Sequence, residues 1–167
     1  FVYNGAVRKI KEIIDSGEIG DVMYFDAVRI NLGLFQHDVN VIWDLAIHDL
    51  AIMDYLLREK PKAVCAVGVG HYNKLENISY LTLFFNNNHF FNCHSNHTLF
   101  FNNNCIAHLH VNWLAPVKIR RILIGGTQKM IVFDDLETVE KIRVYDKGID
   151  VTTKEGIYKT LIQYRTG

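Results

Sequence analysis

A surplus of either charge is missing from this chain of 167 residues: eighteen lysines and arginines offset eighteen aspartates and glutamates. With no net field, neither a nucleic-acid backbone nor an anionic membrane surface is drawn to it, and neither partner is expected. Long apolar runs are missing too. Charges or asparagines break them well short of the roughly 20 residues a bilayer-spanning helix needs, and no signal segment opens the sequence. The expectation is a soluble, cytoplasmic protein. Cysteine is sparse: Cys65, Cys93 and Cys105 are odd in number and never in CxxC spacing, which argues against a disulfide framework and for a reducing compartment. A GxGxxG phosphate cradle is absent as well, since Gly125-Gly126-Thr127 reads as a hairpin turn.

What is present is hydrophobic content of 49%, enough to bury one sizeable core in a chain too short for two ordinary domains. A single domain over 1–167 is expected. Its opening Phe1-Val2-Tyr3 and its closing Tyr164-Arg165-Thr166-Gly167 both read as cut ends.

Ala6, Val7, Ile10, Ile13 and Ile14 recur at helical spacing between Asn4, a cap, and Gly17, a stop, so residues 5–16 are predicted to form an amphipathic helix. The β-branched and aromatic run 22–30 predicts a long strand. Residues 41–57 are apolar almost all round, as in a helix buried on most sides. Strands are then expected near 62–71, 77–86, 105–114, 118–124, 129–134 and 141–145, with turns at Gly125-Gly126 and Asp146-Lys147-Gly148. This order implies an α+β fold: a mostly antiparallel open sheet with helices on one face. The segment 107–113 alternates strictly, with Ala107, Leu109, Val111 and Trp113 on one side and His108, His110 and Asn112 on the other. The second side must be solvated or covered by something outside the chain, such as another subunit. Thr82 to Asn88 returns unchanged as Thr98 to Asn104, sixteen residues later, and reads as a lengthened strand pair or bulged loop.

Within the second helix Asp44 and His48 stand four apart, about 40° around an α-helix. From spacing alone two readings stay open. The pair can satisfy itself inside the helix, or it can face a pocket, where a carboxylate-tuned imidazole exchanges a proton with a substrate hydroxyl. His89, Cys93, His94, His97, Cys105, His108 and His110 have zinc-type side chains but no zinc spacing, so no metal site is expected.

Read in order, residues 3–11, 17–21, 31–33, Trp43-Asp44 through His48-Asp49, and 107–113 resemble the C-terminal domain of the glucose-fructose oxidoreductase and inositol dehydrogenase family, Gfo/Idh/MocA. Residues 31–35 and 113–120 resemble its branch acting on nucleotide-linked sugars. The resemblance implies a dihydrodipicolinate-reductase-like C-terminal domain, the substrate-binding and oligomerisation part of a two-domain enzyme. NAD or NADP is then bound mainly by a separate Rossmann half, without which the chain is inactive. It further implies His48 as the acid/base, Asp44 orienting it or holding a substrate hydroxyl, and Arg29, Asn31, Trp113 and Lys118 flanking the sugar. A homo-oligomer built through the open sheet face is also implied. The family's Glu-Lys-Pro motif lies upstream of this domain, so Glu59-Lys60-Pro61, after the His48 helix, is a decoy. Gly5 replaces the family's usual proline. The competing reading is a non-enzymatic interaction domain that uses the open sheet face.

Overall fold

The first helix starts where the side-chain oxygen of Asn4 accepts the backbone N–H of Ala6 at 2.9 Å, meeting one of the donors a helix start leaves unpaired. In the computed structural model, which describes residues 1–33, 36–72, 74–85, 105–150 and 163–166, helix α1 runs Gly5–Asp15. Gly17, at φ +75°, takes the left-handed turn after it at no steric cost. Strand β1 follows at Val22–Ile30. Next comes a π-helical turn, Ile42–Ala46, which runs directly into helix α2, Ile47–Leu57. The strands β2 (Ala63–Val69), β3 (Ile78–Phe84), β4 (Ile106–Asn112), β5 (Ile119–Gly126), β6 (Met130–Asp134) and β7 (Ile142–Tyr145) complete the main sheet. A separate hairpin pairs β8 (Lys147–Asp150) with β9 (Gln163–Thr166).

The seven strands lie in the order β2-β3-β4-β1-β5-β6-β7. All neighbours are antiparallel except β1 and β4, which run parallel. The α+β open sheet expected from the sequence is therefore the fold. Alternation gives each strand an inner side: Phe25, Ala27, Leu81, Leu109, Trp113 and Ile124 all lie in the buried core shared with the helices. From α1 the core takes Val7 and Ile10, and from α2 Ile52, Met53 and Leu56.

The opposite side carries His108, His110 and Asn112 as expected, in register with Thr82, Tyr80 and Ile78 of β3. Tyr80 stacks on His110, ring centroids 4.5 Å apart, and lies 6.1 Å from His108. Val67, Val69, Tyr80 and Ile106 leave this side substantially exposed.

Three local expectations are corrected. Gly125 and Gly126 are strand residues, and the turn falls at Thr127–Lys129. Glycine is needed there because a Cβ at Gly125 would sit 2.0 Å from the Tyr24 ring, and one at Gly126 would sit 2.0 Å from the Ile19 carbonyl oxygen. Lys147 and Gly148 likewise belong to β8 and not to a turn. The helix over 41–57 is not buried on most sides: only its inner side meets the sheet, and Trp43 and Ile47 are exposed. Of the repeated heptads, only Thr82 to Phe85 lie within the described residues.

Candidate active site

Because β1 and β4 are parallel, their C-terminal ends reach the same edge of the sheet, and the start of α2 lies beside it. The chain is fixed there by continued ladder bonds, Asn31 N–H to the Asn112 carbonyl and Gly33 N–H to the Trp113 carbonyl. Asn40 sets the start of the helical segment. Its side-chain oxygen accepts from the Trp43 N–H, its amide donates to Glu76 at 2.9 Å, and its carbonyl accepts from the Asp44 N–H. The following π turn is closed by the Ile47 N–H bonding back to the Ile42 carbonyl, five residues earlier. Such single turns widen the helix and are frequent at functional sites.

Asp44 lies within that turn. Its Oδ2 accepts the indole Nε1–H of Trp113 at 2.9 Å, and no hydrogen bond joins it to His48. Of the two readings left open by the spacing, the self-satisfied helix pair is not what the fold contains. Trp113 is fully buried, so it reaches the site through Asp44 and not through its own surface.

His48 is half-buried, with no hydrogen bond to its ring among the described residues. The Phe1 ring packs against it, centroids 4.8 Å apart. Beneath lies an ion pair that the sequence did not disclose. Arg29 donates Nε–H to Asp49 Oδ2 at 2.8 Å and an Nη2–H to Oδ1 at 2.7 Å, and both side chains are only 3% exposed. This fork satisfies a buried charge that would otherwise be very costly. The Arg29 guanidinium also lies 5.2 Å from the centre of the Phe1 ring.

Burial first, and then the Arg29 cation, push the His48 imidazole below its ordinary value of 6.5, while Asp49 and Asp44 pull the other way and Arg120 adds to the depression. The ring is accordingly held toward its neutral form, the state that can accept a proton.

Residues 7–132 match the family described as the GFO/IDH/MocA C-terminal domain. The chain belongs to that family. No curated protein matches it. Among solved structures it is similar to a UDP-N-acetylglucosamine 3-dehydrogenase from Acidithiobacillus ferrooxidans, at 22% identity and TM-score 0.61, covering 85% of this chain and 42% of that one. It is also similar to the WlbA dehydrogenase from Bordetella pertussis in complex with NADH and UDP-GlcNAcA, at 13% identity and TM-score 0.65, over 85% and 43%. A third is an aldose-aldose oxidoreductase from Caulobacter crescentus complexed with glycerol, at 16% identity and TM-score 0.64, over 86% and 42%. This GFO/IDH/MocA domain thus spans less than half the length of the solved chains it resembles.

In this GFO/IDH/MocA domain the remaining candidates divide. Asn31 continues from β1 at the same edge, half-buried, its amide nitrogen 2.9 Å from where a Cβ at Gly33 would stand. Lys118 is exposed on the segment entering β5. Arg29 faces Asp49 and has almost no exposed surface, so it positions neighbours more than it offers itself to a ligand. Asp49, Phe1 and Arg120 were not singled out by sequence. Asp49 stood next to His48 as a buried polar residue needing a partner, but only the strand order supplies that partner. Among the described residues, no group of three or more His, Cys, Asp or Glu side chains could hold a metal ion. His89, Cys93, His94 and His97 lie outside the described residues. No helix among the described residues is long and apolar enough to cross a membrane.

Proposed function

We propose that this domain is the substrate-binding and catalytic half of a cytoplasmic NAD(P)-dependent oxidoreductase acting on a hydroxyl of a sugar or nucleotide sugar, inactive without a nucleotide-binding half. The observation that carries this reading is His48: a half-buried imidazole biased toward neutrality, its ring nitrogens unclaimed among the described residues, beside a carboxylate anchored from behind by Trp113. Oxidising an alcohol requires a group that takes the hydroxyl proton as the carbonyl forms, and His48 has the chemistry and access for it.

The residues described here fit part of a dinucleotide and not all of it. There is no glycine-rich strand-to-helix turn to cradle phosphates, but Trp43 and Ile47 expose apolar surface on the same helical segment as His48, which suits a nicotinamide ring. When bound, the nicotinamide supplies or receives the hydride, and the protein contributes alignment and proton transfer. His48 takes the hydroxyl proton. Asp44, with Oδ2 held by Trp113, keeps Oδ1 for a neighbouring substrate hydroxyl or for the imidazolium that proton transfer creates. Asn31 and Lys118 are candidate sugar contacts at the same edge, with Arg29 and Trp113 supporting them from within.

A second copy of the chain covers the open sheet face in this reading. Val67, Val69, Tyr80 and Ile106 are exposed there together with stacked His110, a mixture of aromatic and aliphatic surface that suits a subunit contact. In the whole oxidoreductase, His48→Ala is expected to lower kcat about 10²–10⁴-fold, the usual worth of a positioned acid/base, with nucleotide affinity unchanged. Unchanged turnover removes His48 from the mechanism.

A further inference from the structure

Strands β1 and β5 carry three arginines, and the side chain of one lacks the hydrogen-bonded carboxylate that the other two have. Arg29 makes two hydrogen bonds to Asp49. Arg121 makes two to Asp134, at 2.8 and 3.1 Å. Arg120 makes none. Its nearest carboxylate is Asp135, with Nη1 3.7 Å from Oδ2, too far for a hydrogen bond, and Asp135 is shared with Lys141 at 3.6 Å. The Arg120 Nε is fully buried and has no hydrogen-bond partner among the described residues. A buried guanidinium donor left empty is unusual, because the solvation it gave up is not returned by any acceptor.

The register says where this group stands. Arg120 is directly opposite Arg29 in the antiparallel β1–β5 ladder, so both project to the helix-covered side of the sheet, where Arg29 meets Asp49. Arg120 is also close enough to act electrostatically on His48. Its side chain is 31% exposed, so a solute can reach it. Asp49 is fully engaged by Arg29, so among the described residues Arg120 is the half-buried cation at this edge that no carboxylate holds at hydrogen-bond distance, while Lys118 stands exposed on the segment entering β5.

We propose that Arg120 is an anion anchor: its guanidinium binds an oxyanion carried by the substrate, a carboxylate or a phosphate, and thereby holds the sugar against His48. This rests on the reading of His48 as the acid/base. A planar fork of N–H donors matches two oxygens of either group, and its half-buried position strengthens the attraction over that of a fully solvated charge. The substrate class narrows accordingly, from sugars in general to sugars bearing a negative charge. Because the Arg120 side chain forms no hydrogen bond among the described residues and its backbone bonds do not depend on it, replacing the side chain should leave the architecture standing.

The test uses three probes on the purified chain: glucuronate, which carries a carboxylate, glucose 1-phosphate, which carries a phosphate, and glucose, which carries neither. NMR follows the His48 imidazole as each is added. At least one of the two anions is expected to perturb that ring saturably and more tightly than glucose, and the stronger of the two identifies the oxyanion. Arg120→Met should weaken that binding about tenfold or more, the usual worth of a hydrogen bond to a charged group, while Arg120→Lys retains part of it. Equal affinity in Arg120→Met overturns the proposal, and so does a His48 ring that answers neither anion in the unaltered chain. The acid/base assignment is judged separately, by the turnover of His48→Ala, so the two can fail independently.

Discussion

Substituting Asp49 by Asn removes one charge of a pair whose two members are each 3% exposed, and leaves the Arg29 guanidinium buried without its counter-ion. The amide still accepts one hydrogen bond, but it cannot neutralise the cation. Breaking such a pair from one side costs about 3–5 kcal/mol. For a domain of this size a loss of that order lowers the melting temperature by about 2–4 °C per kcal/mol, so a fall of roughly 6–20 °C is expected. Urea unfolding followed by tryptophan fluorescence reads the same loss as a lower midpoint with an unchanged slope. The companion variant is Arg29→Met with Asp49→Leu, in which both charges leave together. It should recover most of the stability, because desolvation of the two ions offsets much of their attraction. A second readout is the His48 ring: Asp49 raises its proton affinity, so Asp49→Asn should move its titration still lower, whereas Arg29→Met should move it up. The reasoning is refuted if Asp49→Asn costs less than about 1 kcal/mol, or if the double variant is as unstable as the single one.

Stability should fall on acidification. His48 and His110 are both held below the ordinary 6.5, chiefly by burial. Between 6.5 and their lower folded values the unfolded chain binds more protons, so urea midpoints should drop as the pH falls from about 7.5 through 6.5, and replacing both rings by Gln should remove much of that slope. Trp113→Phe keeps the aromatic ring and deletes the donor to Asp44, which should cost about 1.5–3 kcal/mol by urea titration, and a cost near zero would show the bond to be incidental. Ile106→Lys places a charge on the open side of the sheet, where the residue is 42% exposed. It should convert an oligomer to monomer in gel filtration without changing the circular dichroism, and a monomeric starting protein would rule out a subunit contact on that side.

Much of the architecture was legible because it rests on local pattern. Helix α1 follows from Val7, Ile10 and the Asn4 cap, β1 from its β-branched and aromatic residues, and β4 from strict alternation. The features that fell outside reach depend on which distant segments meet. The π turn at Ile42–Ala46 was hidden, since one widened turn leaves the apolar pattern almost intact, and the bond from Trp113 to Asp44 within it joins residues far apart in sequence. Gly125 and Gly126 pointed to a turn, as paired glycines commonly do, yet here they admit the Tyr24 ring and the Ile19 carbonyl. For the candidate site, Asp44 and His48 were visible as polar residues on an apolar helix. The Arg29–Asp49 fork and the position of Arg120 opposite Arg29 require the β1–β5 register, which no short-range motif encodes.

The order of the sheet also bears on how the chain emerges during synthesis. β1 is made before the other strands of this sheet and becomes the middle one, flanked by β4 and β5, whose residues lie some way downstream, at Ile106–Asn112 and Ile119–Gly126. At ribosomal speeds about 5–20 s pass between translation of β1 and of its second neighbour. Until β4 emerges the strand has both edges unsatisfied, and until β5 follows it keeps one open, a template for pairing with other nascent chains. Rapid shielding by α1 and α2, whose sequences appear well before β4, is the protection this topology provides to a newborn polypeptide.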